Sequence, residues 1–115
     1  MTQYMLAVQH AGPYPAPESA EAQAMFAATG AFTDRLRDAG QWVFVGGLQP
    51  VETATVVDRK GDDVVVTDGA YAESKEHLAG FWVVDVTDLD EALKLAAEAT
   101  QACGDPIVVR AFHEV

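Results

Sequence analysis

The sequence predicts a single α+β domain in which two helices cover one face of an antiparallel sheet. Three observations carry this. Short β-branched or apolar runs alternate with two stretches of helical period, a hairpin separates two strand–helix–strand halves, and 115 residues leave room for one core. Half of the chain is apolar, and much of that half is small, with 20 Ala and 15 Val. The core must therefore form by close packing of thin elements.

Tyr4 to Val8 is a continuous apolar run and reads as a buried strand. Gly12-Pro13-Tyr14-Pro15-Ala16-Pro17 follows, and its prolines fix φ and bar helix until Glu18 or Ser19. From there Ala22, Met25, Phe26, Thr29, Phe32, Thr33 and Leu36 recur at steps of three and four. They mark a helix ending at Ala39-Gly40, with Met25, Phe26 and Phe32 expected in the core. Trp42 to Val45 is a strand apolar on both faces. Thr53 to Asp58 and Val64 to Thr67 flank Arg59-Lys60-Gly61-Asp62-Asp63, a hairpin with a five-residue loop that can bend out of the main sheet.

Phe81 to Val86 is a further strand. Thr87 and Asp88, each with an acid three places on, start a second helix with inner residues Leu89, Ala92, Leu93, Ala96, Ala97 and Thr100. Gly104 and Pro106 stop it, and Ile107 to Phe112 is the last strand. Two split βαβ halves around a hairpin make a ferredoxin-like arrangement over residues 1–115. Helices cover one face of such a sheet, yet Trp42 to Val45 and Phe81 to Val86 place large apolar groups on both. A second subunit stacked sheet to sheet about a two-fold axis is the expected cover, and a monomer whose hairpin folds over the open face is the alternative.

Eighteen acidic against seven basic residues give a net charge of −11. Such a polyanion repels phosphate backbones, which excludes direct nucleic-acid binding. Cys103 is the one cysteine, so no internal disulfide forms and a reducing cytoplasm is the expected location. Met1 to Gln9 has no basic region before its apolar run, and no apolar stretch approaches the roughly 18 residues a membrane span needs. Neither export nor a membrane anchor is expected.

Thr67 to His77 packs many polar groups between two strands. Asp68-Gly69 suits a tight turn; alternatively Asp68 faces a pocket beside Tyr71, with Lys75 orienting a carboxylate or carbonyl of a ligand or pairing with Glu73 or Glu76. His10, His77 and His113 match no local zinc spacing, so no metal is expected. His10 ends the first strand, either as a solvent-facing cap or as a general base near Asp34 or Asp38. No serine sits in a nucleophile elbow, and Gly46-Gly47 lacks the Lys-Ser/Thr of a phosphate loop. Covalent catalysis, nucleotide hydrolysis and a bound cofactor therefore find no support. The pocket candidates are His10, Asp68, Tyr71 and Lys75.

Gly-Leu-Gln-Pro at Gly47 to Pro50, Asp68-Gly69-Ala70-Tyr71, Glu73-Ser74-Lys75-Glu76, Gly80-Phe81 and Asp88-Leu89-Asp90-Glu91-Ala92 together resemble the YCII-related proteins of the DGPF-domain type. The eponymous tetrapeptide carries Ala70 in place of Pro and Tyr71 in place of Phe. The resemblance implies a dimeric α/β-barrel assembly of ferredoxin-like subunits. In the wider group a His on the first helix and an Asp near its end have been given enzymatic roles. Here the Asp position is Asp38 and the His position falls near Ala24, so that dyad is broken. The resemblance also implies a genomic link to extracytoplasmic-function sigma factors. The expected function is a homodimeric small-molecule binder with an enzymatic option, and the alternative is a regulatory module facing such a sigma factor.

Overall fold

The computed structural model describes residues 1–69 and 75–114. In chain order it contains β1 (Thr2–Ala11), α1 (Ala20–Asp38), β2 (Trp42–Gly47), a 3-10 turn at Val51–Thr53, β3 (Thr55–Lys60), β4 (Asp63–Asp68), β5 (Glu76–Val86), α2 (Leu89–Cys103) and β6 (Ile107–Ala111). The main sheet runs β2-β5-β1-β6 with every neighbouring pair antiparallel, so β1 and β2 are split by β5, as the ferredoxin-like order requires. Among the described residues no helix is long and apolar enough to cross a membrane.

Local chemistry sets the helix ends. Ser19 caps α1 by accepting from the Ala22 amide. Asp88 caps α2 by accepting from the Glu91 amide at 2.9 Å, while the Glu91 carboxylate accepts from the Thr87 amide and hydroxyl. Gly104 closes α2 at φ 79°, a conformation that costs glycine little.

Both helices lie on the face that carries Leu6, Val8, Trp82, Val84 and Val86, and Phe32 and Leu36 of α1 complete the buried centre. Phe32 meets Trp82 edge to face at 5.1 Å. The Trp82 indole donates to the Thr33 hydroxyl at 3.0 Å, which in turn donates to the Thr29 carbonyl. The polar edge of a large buried ring is thereby satisfied.

Three local expectations change. In α1 the buried stripe is Ala22, Phe32, Thr33 and Leu36, whereas Phe26 is half exposed and Met25 partly so. The first half of the apolar stripe faces a cavity and not the core. In α2 the buried residues are Ala92, Leu95, Ala96 and Ala99, with Leu89 and Leu93 turned outward. Three alanines let that helix approach the sheet closely, and Leu95 is the one leucine of the helix that packs beneath it. The hairpin loop is Gly61-Asp62 only, because Gly61 at φ 65° reverses the chain at once and Lys60 pairs with Asp63.

The other face of the sheet carries two apolar rows read from the register. Phe44, Val83 and Met5 form one, and Phe81, Ala7 and Val108 the other. Phe44 and Val108 remain 48% and 43% exposed. Strands β3 and β4 form a separate two-stranded sheet and make only marginal contact with the body. The hairpin therefore does not cover the open face.

Candidate functional site

Three prolines hold the segment after β1 in extended turns, with Gly12 at φ 79° starting the departure from the sheet. This loop stands away from the main sheet and leaves a cavity of about 890 Å³ between itself, α1 and the ends of β2 and β5. Met25, Phe26, Val45, Leu48, Phe81 and Trp82 supply much of its apolar wall. Thr29, Asp34, Arg37, Glu52 and Asp105 supply polar groups. The Arg37 guanidinium lies 4.7 Å over the Trp42 ring, a cation–π contact that holds the cavity's arginine in place.

The strand backbones approach closely at the cavity floor. A Cβ on Gly80 would lie 2.6 Å from the Gly46 carbonyl oxygen and 3.0 Å from the Gly47 Cα, so glycine is required there. Gly30 of α1 also lines the cavity, and a Cβ there would meet nothing within 4 Å.

A second cavity of about 390 Å³ adjoins the first, sharing Tyr14, Pro15, Met25, Cys103 and Asp105, and adds His10. Among the described residues His10 is the one pocket candidate of the sequence that lines either cavity. Its Nδ1 lies 2.9 Å from Asp105 Oδ2, its Nε2 is 3.4 Å from the Pro13 carbonyl oxygen, and its ring stacks on Tyr14 at 4.1 Å. The two side chains are 15% and 22% exposed. Burial pulls the His10 pKa down. The Asp105 hydrogen bond and charge, with the Pro13 carbonyl, outweigh it, and the net shift is upward from 6.5. Burial, then the charges of Asp105 and Glu52, raise the Tyr14 phenol. Burial likewise raises the Cys103 thiol, which disfavours its thiolate.

The remaining candidates lie elsewhere. Asp68 ends β4 on the separate hairpin and is exposed, and Lys75 is exposed just before β5. Tyr71 lies outside the described residues. Asp34 lines the large cavity, but the carboxylate that reaches His10 is Asp105. Among the described residues no group of three or more His, Cys, Asp or Glu could hold a metal ion. The sequence missed Asp105, Tyr14 and Arg37. The one local signal was Gly104-Asp105-Pro106, a turn that returns the chain beside β1, where the Gln9 amide donates to the Pro106 carbonyl.

An uncharacterised protein of Rhizobium meliloti (strain 1021) is 37% identical over 65 residues, which span 56% of this chain and 52% of that protein. The chain thus aligns with about half the length of this curated relative. The model of the YCII-related domain matches residues 3–107. With the split βαβ sheet described above, a match of this extent places the chain in the YCII-related domain family.

Proposed function

We propose that this protein is a cytoplasmic homodimer that binds a small, largely apolar molecule in the cavity beside α1. The cavity itself carries the reading: about 890 Å³ is the size of a metabolite site, and apolar walls with few polar groups are the usual make-up of one. Arg37 and the neighbouring carboxylates would orient a polar end of the ligand, while the apolar body lies along Met25 and Phe26. Pairing is supported by the uncovered rows on the opposite face of the sheet, and the unpaired Cys103 thiol fits a reducing compartment.

The enzymatic side of the reading rests on His10. Asp105 orients the ring and favours a proton on Nδ1, so Nε2 is the nitrogen left to exchange a proton with a bound molecule once the long contact to Pro13 yields. The charge of −11 supports a second reading, a regulatory module that engages a basic partner such as a sigma factor. Salt-sensitive capture of that partner would separate it from the binder.

The test of the binding reading is a thermal-shift panel of apolar carboxylic acids, ketones and amines on the wild type and on Gly30→Trp, which fills the cavity from open space. A ligand at about one hundred times its Kd stabilises by about 2.7 kcal/mol. The expected result is a rise of several degrees in the wild type, absent in a folded Gly30→Trp. A panel without any shift, or equal shifts in both proteins, overturns the reading.

A further inference from the structure

Strands β3 and β4 present one face formed by Thr55, Val57, Arg59, Val64, Val66 and Asp68, as the register Thr55↔Asp68, Val57↔Val66 and Arg59↔Val64 requires. Val57, Val64 and Val66 on that face are 64–66% exposed. An isolated two-stranded hairpin is marginal in water, and an exposed strand face of valines is an association surface. The chain is also wide and thin, 46 × 42 × 19 Å, with a radius of gyration of 16.1 Å. A compact chain of this length has about 13 Å.

We propose that the β3–β4 hairpin is an arm that packs its valine face on a second copy of this chain, widening the interface made by the open sheet faces. This rests on the homodimer of the preceding section and names the surface that completes it. Area argues for a second copy. Four strands at about 4.8 Å and about five shared residues at about 3.4 Å give the open sheet face a footprint of about 330 Å². A stable interface takes about 800 Å² from each partner. By the same spacing the arm adds about 200 Å², and two-fold symmetry adds an equal patch gripped by the partner's arm, for about 700 Å² per copy.

Charge is the lesser guide. Lys60 pairs with Asp58 at 2.8 Å and Asp62 and Asp63 follow at the turn, so Arg59 is the one basic group among the valines of this face. Arg59 can meet an acidic group of a second copy, while the area, not the net charge, selects that occupant.

Sedimentation equilibrium of the full chain at micromolar concentration tests the proposal, with near-UV circular dichroism of Trp82 as the check on folding. The arm variants are Val64→Lys/Val66→Lys and Arg59→Glu, and the sheet variant is Phe44→Asp. The arm predicts a dimer Kd weakened about tenfold or more by the paired lysines and about threefold or more by Arg59→Glu. If the lysines melt the hairpin, Arg59→Glu decides alone because it leaves the valines in place. A wild-type dimer broken by Phe44→Asp but held within about twofold by the arm variants overturns the arm and leaves sheet pairing standing. A wild type that is monomeric throughout overturns both.

Discussion

Replacing Asp105 probes the most connected polar group of the site. In Asp105→Asn the side-chain oxygen can still accept from His10 Nδ1, but the charge is gone, whereas Asp105→Ala removes both. A hydrogen bond between charged partners contributes about 1.5–3 kcal/mol, and the 15% and 22% exposure of this pair argues for the lower end. At about 2.1 cal/mol/K per residue, a chain this long loses about 4 °C of Tm per kcal/mol, so Asp105→Ala should melt about 6 °C lower at pH 6. The sign with pH follows from the raised His10 pKa. Its contribution is whole below the unfolded value of 6.5 and fades as pH rises through the higher folded value. The penalty for either substitution should therefore shrink between pH 6 and pH 9. Melting curves at both pH values check this, together with an NMR titration of the His10 ring, whose midpoint should fall in Asp105→Asn. Equal penalties at the two pH values, or an unmoved His10 midpoint, would refute the pairing.

Two further outcomes are expected. Gly80→Ala forces a Cβ within 2.6 Å of the Gly46 carbonyl oxygen and should cost about 1–3 kcal/mol in denaturant unfolding, while Gly30→Ala, with open space around it, should be neutral or stabilising. The Thr87 hydroxyl and amide and the Gln41 amide hold the Glu91 carboxyl below 4.5, so its contribution is present above that pH and is lost as pH falls through the depressed folded value. In Glu91→Gln the corresponding acid limb of the stability profile should flatten, as read by unfolding between pH 3 and pH 6.

Element order was readable because hydrophobic period is local: three-and-four spacing marks α1 and α2, and β-branched runs mark the strands. What each apolar face touches is not local. Met25 and Phe26 continue the stripe of Phe32, yet the proline loop stands off above them, and a cavity wall is as apolar as a core. In α2 leucines stand at 89, 93 and 95, and hydropathy alone does not say which of them faces the sheet, where Leu95 packs with Ala92, Ala96 and Ala99. His10 stood out as a titratable group at a strand end, but its partner Asp105 lies 95 residues away and is brought near by β1–β6 pairing. The dense polar stretch from Thr67 to His77 gave no hint of which side of the fold it would occupy. Its first residues leave with the hairpin, and Glu76 and His77 extend β5, where His77 pairs opposite His10.

The cavity and the open face lie on opposite sides of one sheet, so a molecule bound in the cavity would touch few groups that a second copy would bury. Phe81 is the exception. It belongs to the cavity wall, and its ring lies 5.7 Å from that of Phe44 on the open face. Gly80 precedes it and Gly46 pairs with it, the very glycines whose close approach brings β2 against β5. A shift at this crossing would alter the cavity floor and the open face together, because packed strands move as units and not side chain by side chain. A ligand in the cavity and a second copy on the open face, if both bind as proposed, would be linked by a short physical route through β5. The His10–Asp105 pair lies apart from that route, where the proline loop leaves β1.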